Sequence, residues 1–281
     1  MRRRVWCETL SFDEVGEPRL IAALERHGID LLLAVRPWQL DGVADIVERV
    51  RGAGVFVGVW PMLADADGRW ASVRSLPAYI AFAEELLARA PTCDEIAIDL
   101  EPPLAVLKEW KALRPAVSTA RGYRDARDEL VAAILRWKRD RRVTTAVLPF
   151  LALEWRGQWM QRLLGTPTTA LPVDAHSVMA YSSLFEGWSR GIVDRRRAER
   201  LLSLTARLSR SRLGPTTGLS IGCVGTGAFG DEPSYRGIDE LARDVELATA
   251  AGITELALFD LGGCVRRGEL DAWLSALAAG G

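Results

Sequence analysis

The sequence predicts a single (β/α)8 barrel, a TIM barrel, and three observations carry that prediction. Eight short apolar, β-branched runs recur along the 281 residues, each followed by a longer segment whose apolar residues repeat at three and four. Most of the runs are nearly continuous in apolar residues, as parallel strands covered on both faces must be. The glycine fingerprint that an open nucleotide-binding sheet places after an early strand is absent. Regular alternation through to the C-terminal residues makes one domain over 1–281 the expectation.

In chain order the predicted strands are Val5 to Leu10, Asp30 to Val35, Val55 to Trp60, Glu95 to Leu100, Val143 to Pro149, Ser177 to Tyr181, Leu219 to Val224 and Glu255 to Phe259. Predicted helices between them include Arg19 to His27, Val43 to Val50, Leu76 to Arg89, Tyr123 to Arg139, Asp194 to Ser209 and Ile238 to Ala250. Gly28, Gly54 and Gly252 follow helical segments directly, where a left-handed cap is needed. The connection from Pro102 to Gly122 exceeds a usual βα loop, so a short helix around Ala105 to Leu113 is expected over the barrel mouth.

Lys and Arg total 36 against 37 Asp and Glu, and a net charge of -1 offers no field to draw nucleic acid or an anionic membrane. The arginine-rich stretches Arg139 to Arg142 and Arg195 to Arg200 read as solvated faces of outer helices. Met1 to Arg4 carries the charge of a signal segment, yet Glu8, Asp13 and Glu14 interrupt any apolar stretch after it. The four cysteines, Cys7, Cys93, Cys223 and Cys264, show no CxxC spacing and read as reduced thiols. A cytoplasmic protein with neither membrane span nor cofactor is the expectation.

Barrel enzymes work where their strands end. The residues there are Glu8, Arg36, Trp60, Asp99 with Glu101, Tyr181, Thr226 and Asp260. Any one of them finishes a strand simply because strands emerge into water; together they gather carboxylates, an arginine and aromatic rings around one opening. The fourth strand is the most informative. Strand alternation sets Asp99 and Glu101 on one face with Cα atoms about 6.5 to 7 Å apart. Two carboxylates so close resist joint ionisation, which raises one toward the range of a useful proton donor.

The segment Asp94-Glu95-Ile96-Ala97-Ile98-Asp99-Leu100-Glu101 resembles the DxxDxDxE signature of glycoside hydrolase family 18, the chitinase-like barrels, which also falls on strand four. Asp94, Asp99, Glu101 and the following Pro103 match; Ala97 stands where the family has its middle aspartate. Val178 to Tyr181 resembles the family's M-x-Y-D strand, with Ser182 in place of the aspartate. Gly222 to Gly227 has the spacing of its seventh strand, and Leu258 to Gly262 resembles its eighth with Phe259 at the tryptophan position. The third strand, Val57 to Trp60, lacks the family's S-x-G-G pattern.

The resemblance implies retaining hydrolysis of an N-acetylhexosamine-type bond, assisted by the substrate's own acetamido group. Glu101 would protonate the departing oxygen, Asp99 would orient the acetamido group and Tyr181 would bond to it. Trp60 and Phe259 would face a sugar ring, and Glu8, Arg36 and Asp260 would bond its hydroxyls. The implied partner is a small-molecule or oligosaccharide substrate. Losing an acidic residue at Ala97 and another at Ser182 argues against efficient chitin cleavage.

Three other readings stay open. Glu8, Asp99, Glu101 and Asp260 could hold Mg²⁺ or Mn²⁺ in an isomerase or lyase. The glycine-rich Gly222 to Gly230 with Gly262 and Gly263 could cradle phosphate, helped by Arg266 or Arg267. A carbohydrate-binding scaffold without turnover is the third. With only His27 and His176 present, a multi-histidine zinc site or a Ser-His-Asp triad finds no support.

Overall fold

The computed structural model describes residues 1–111, 122–150, 154 and 158–279. Eight parallel strands close into a barrel in sequence order: β1 (Arg2–Cys7), β2 (Ile29–Val35), β3 (Val57–Pro61), β4 (Glu95–Leu100), β5 (Arg142–Val147), β6 (Ala175–Met179), β7 (Thr217–Gly222) and β8 (Glu255–Phe259). Closure is direct, with Val5 of β1 in register with Leu258 of β8. An outer layer follows, one helix per strand: α1 (Pro18–His27), α2 (Val43–Gly52), α3 (Leu76–Arg89), α4 (Tyr123–Trp137), α5 (Trp159–Leu164), α6 (Arg195–Leu213), α7 (Ile238–Ala250) and α8 (Leu270–Ala278). Gly28 ends α1 at φ 61°, a left-handed cap that costs glycine nothing.

The predicted fold holds, while several strand limits move. β1 begins three residues before the predicted Val5, because the arginines whose charge is that of a signal segment belong to the strand itself. Strand alternation points Arg4 and Trp6 into the barrel and Val5 and Cys7 outward to the helices. The helix after β4 spans Leu104–Lys111; its predicted continuation to Leu113 lies outside the described residues.

Buried side chains form two groups. One lies between sheet and helices and includes Leu31, Leu33, Val57, Ile96, Ile98, Leu219 and Leu258. The other fills the barrel axis with Trp6, Leu32, Trp60, Ala97, Ala146 and Ala257. Large and small residues alternate there, so that two indoles fit into one cross-section. Trp6 and Trp60 meet edge to face, ring centroids 4.8 Å apart.

Below that layer the barrel floor is ionic. Arg4, fully buried, pairs with both Glu95 and Glu255. Arg142 reaches the same two carboxylates at 3.1 and 2.6 Å, and Thr144 donates to Glu95 at 2.5 Å. Burial alone would raise Glu255, but the adjacent Arg4 and Arg142 outweigh it and hold the group below its ordinary value. Two guanidinium groups against two carboxylates leave no uncompensated charge in the floor, the condition on which buried ions are tolerated.

Candidate active site

Strand β4 aims Glu95, Ala97, Asp99 and Glu101 along one inward column, from floor to mouth. Glu95 belongs to the ionic floor and Ala97 to the apolar layer, so Asp99 and Glu101 form the acidic top of the column. Asp99 is 3% exposed and Glu101 9%, neither turned out toward a helix. Asp99 Oδ1 is buried without a hydrogen-bond partner. Since Ala97 lies beneath it, Asp99 has no lower carboxylate with which to share a proton.

Burial pushes Glu101 up to about 8, Glu8 adds to the rise, and Arg69 opposes it. Burial raises Asp99 well above the usual carboxylate range, reinforced by Glu101 and then Glu8. The two carboxyls therefore share protons near neutrality, and their titration belongs to the pair. Tyr181 is likewise held protonated by burial, with Cys223, Asp99 and Glu101 adding to the effect. Its ring packs against Phe259 with centroids 5.9 Å apart.

Arg69, which the sequence reading passed over, completes this side of the mouth. The Ala71 N–H donates to the Asp99 carbonyl at 2.9 Å, pinning the loop after β3 to the end of β4. Arg69 then pairs with Glu8 and, at 2.7 Å, with Asp65. Arg36 approaches Glu8 at 3.7 Å and donates to the Leu63 carbonyl at 2.7 Å. The predicted residues Glu8 and Arg36 thus stand at the mouth, already paired with each other, Glu8 also with Arg69. An arginine inside a loop that reads as an ordinary turn, Asp65-Ala66-Asp67-Gly68, gave no sequence signal of its own.

Other expectations fare differently. Trp60 is 4% exposed and packed edge-on against Trp6, which makes it part of the floor of the mouth more than an open platform. Asp260 is fully buried. It caps the short helix Leu261–Arg266, accepting from the Gly263 N–H and the Thr9 hydroxyl, both at 2.8 Å, so its two oxygens are committed. Ser182 is fully buried and donates to Asp244 of α7 while accepting from Arg195 at 2.8 Å. Position 182 therefore points away from Asp99, and a serine there subtracts nothing from the mouth. Asp94 lies at the opposite end of β4, where it accepts from the Val57 N–H at 2.9 Å and pairs with Arg51 at 2.9 Å.

The glycine-rich loop after β7 holds an anion of its own. Glu232 accepts from the Gly227 N–H at 2.9 Å and from the Phe229 N–H at 2.8 Å. Arg266 donates to Thr9 at 2.6 Å and Arg267 to the Tyr235 carbonyl at 2.7 Å. The amides and arginines expected to receive phosphate thus have partners within the chain. The metal reading weakens for a related reason. Asp260 is committed elsewhere, and among the described residues no three His, Cys, Asp or Glu side chains are placed to hold an ion. Two guanidinium groups already bring positive charge to Glu8.

No protein-family model matches the sequence, and no curated protein matches it. Similarity is found in shape. The chain is similar to the PgaB (BpsB) glycoside hydrolase domain from Bordetella bronchiseptica, with TM-score 0.64 and 11% identity over 100% of both chains. It is similar to a class V chitinase from Nicotiana tobaccum, with TM-score 0.56 and 11% identity over 99% of each. A GH113 β-1,4-mannanase gives TM-score 0.54 and 13% identity over 100% of this chain and 98% of the other. These neighbours are glycoside hydrolases, and at such identities what they share with this chain is the barrel.

Proposed function

We propose that the chain is a glycoside hydrolase, related to the family 18 barrels, that cleaves an N-acetylhexosamine-type bond with retention of configuration. The observation that carries the reading is the inward pair Asp99 and Glu101, of which Glu101 holds a proton up to about 8. In this scheme Glu101 gives its proton to the glycosidic oxygen as the bond from that oxygen to the anomeric carbon breaks. The acetamido carbonyl oxygen of the same sugar bonds to the anomeric carbon in place of the leaving group. Asp99 accepts from the acetamido N–H, and Tyr181, held protonated, donates to its carbonyl oxygen. Water then opens the cyclic intermediate while the Glu101 carboxylate takes the water's proton, which restores the starting acid.

A buried acid matched to neutral pH contributes on the order of 10² to 10⁴ in rate. Glu101→Gln keeps the side chain's shape and removes the proton. Turnover of a fluorogenic N-acetylglucosaminide or of chito-oligomers by the parent, with loss of at least roughly a hundredfold in this variant, is the expected result. Full activity in the variant, or an inverted product anomer by NMR, would sink the proposal. A scaffold that binds such sugars without turnover is the second reading; Ala97 beneath Asp99 favours it, and binding in the absence of any measurable hydrolysis would establish it.

A further inference from the structure

Beyond the acidic pair, the mouth carries an aromatic ring that the proposed chemistry does not use. Trp38 follows β2 directly, on the catalytic face, and is 70% exposed, the most open aromatic side chain among the described residues. Its backbone is fixed. Pro37 opens the 3-10 turn Pro37–Gly42, the Arg36 N–H donates to the Gln39 side chain at 2.8 Å, and the Gln39 N–H donates to the Arg36 carbonyl at 2.9 Å. The Arg36 guanidinium stands 5.8 Å from the ring centroid on one side. Arg36 is itself anchored by Asp65 at 3.3 Å, by the Leu63 carbonyl and by Glu8, so the cation beside the indole is held in place.

That support leads back to the reacting groups. Glu8 joins Arg36 to Arg69, and both Glu8 and Arg69 act electrostatically on Glu101. Trp38 thus stands beside a row of charged side chains, Arg36, Glu8 and Arg69, whose far members act on the acidic pair through their charge. A solvent-facing indole on a fixed turn is costly to leave in water, and it suits the C–H face of a pyranose ring, whose hydroxyls lie at the edges where Arg36 and Asp65 can meet them. One isolated ring on a charged rim offers too little apolar area for a protein interface.

We infer that Trp38 is the platform of a distal sugar-binding subsite, so that the ligand is an oligosaccharide chain laid from the acidic pair across the Pro37–Gly42 turn. The inference rests on the glycosidase reading and adds chain length and direction to it. The test uses Glu101→Gln, with and without Trp38→Ala or Trp38→Phe, titrated by calorimetry with N-acetylglucosamine, chitobiose and longer chito-oligomers. Affinity is expected to rise with chain length in the Glu101→Gln protein. Trp38→Ala removes that rise, lowering affinity for the longest oligomer roughly tenfold, and Trp38→Phe restores most of it. If the rise persists in Trp38→Ala, the subsite is refuted while the glycosidase reading stands. If no oligomer binds any of the proteins, subsite and substrate class fall together.

Discussion

Arg69 forms its ion pair with Glu8 from a left-handed backbone conformation, φ 66°, that residues with a Cβ seldom adopt. Strain of this kind costs on the order of 1 to 3 kcal/mol and persists where the surroundings enforce it. Here Gly68 on one side, and the Ala71 bond to the Asp99 carbonyl on the other, do so. The conformation delivers a cation to a buried acidic pair.

Removing that cation has a signed effect. Arg69 lowers Glu101 from where burial would otherwise put it, so Arg69→Met moves the alkaline limb of the kcat/KM profile above about 8. Glu8→Gln removes a group that raises Glu101, so its limb moves below that of the parent. Profiles of kcat/KM against pH for the three proteins check both shifts; displacement of either limb in the opposite sense contradicts the assigned electrostatics.

The same proton affects stability. Glu101 binds a proton up to about 8 when folded, against 4.5 as its ordinary value. Between those values the folded state holds a proton that the unfolded chain has released, so stability falls as pH rises through the window. Glu101→Gln has no such charge to desolvate. It is expected to exceed the parent above pH 8 by roughly 1 to 3 kcal/mol, with the gap closing toward pH 5, as thermal melts across that range would show. An equal gap at both ends of the range would mean that the carboxyl is not titrating in the window.

The ionic floor predicts a large loss from one substitution. Arg4→Met leaves Glu95 and Glu255 with a buried charge that Arg142, with the more exposed Arg2 at 3.9 Å from Glu95, must balance. A loss of roughly 3 to 5 kcal/mol in urea unfolding is expected. Adding Glu95→Gln, which removes one of the stranded charges, recovers part of it; a double variant no more stable than the single one would count against charge as the cause.

Glu232 fills an amide cradle that would otherwise be open. Glu232→Ala strips the Gly227 and Phe229 N–H groups of their acceptor and costs roughly 1 to 3 kcal/mol. Inorganic phosphate should then raise the Tm of this variant and leave that of the parent unchanged. A variant indifferent to phosphate would show that the loop rearranges once its carboxylate is gone.

The barrel and its acidic pair were legible because both depend on local periodicity. Alternation along β4 sufficed to put Asp99 and Glu101 together, and the same rule would have placed Glu95 and Ala97 in their column. What could not be read were pairings set by the closed sheet. Arg4 meets Glu255 because β1 and β8 are neighbours, and nothing near either residue announces it. That is why the sequence alone starts β1 at Val5 and leaves Arg2 to Arg4 outside it. Asp260 read as a mouth residue because it ends a strand, yet the helix starting beside it uses aspartate as a cap. Arg69 reaches the site through a backbone bond between distant loops, a tertiary fact without a sequence mark.

Arg3 on β1 donates to the carbonyl of Ala279, just beyond α8, at 3.4 Å. The start of β1 and Ala279 are thus neighbours, and β1 and α8 set them on the side of the barrel opposite Glu101. Any tag, tether or additional module joined at either end would leave from that underside. Such a protein could be fixed to a surface by that underside with the opening still turned to solvent.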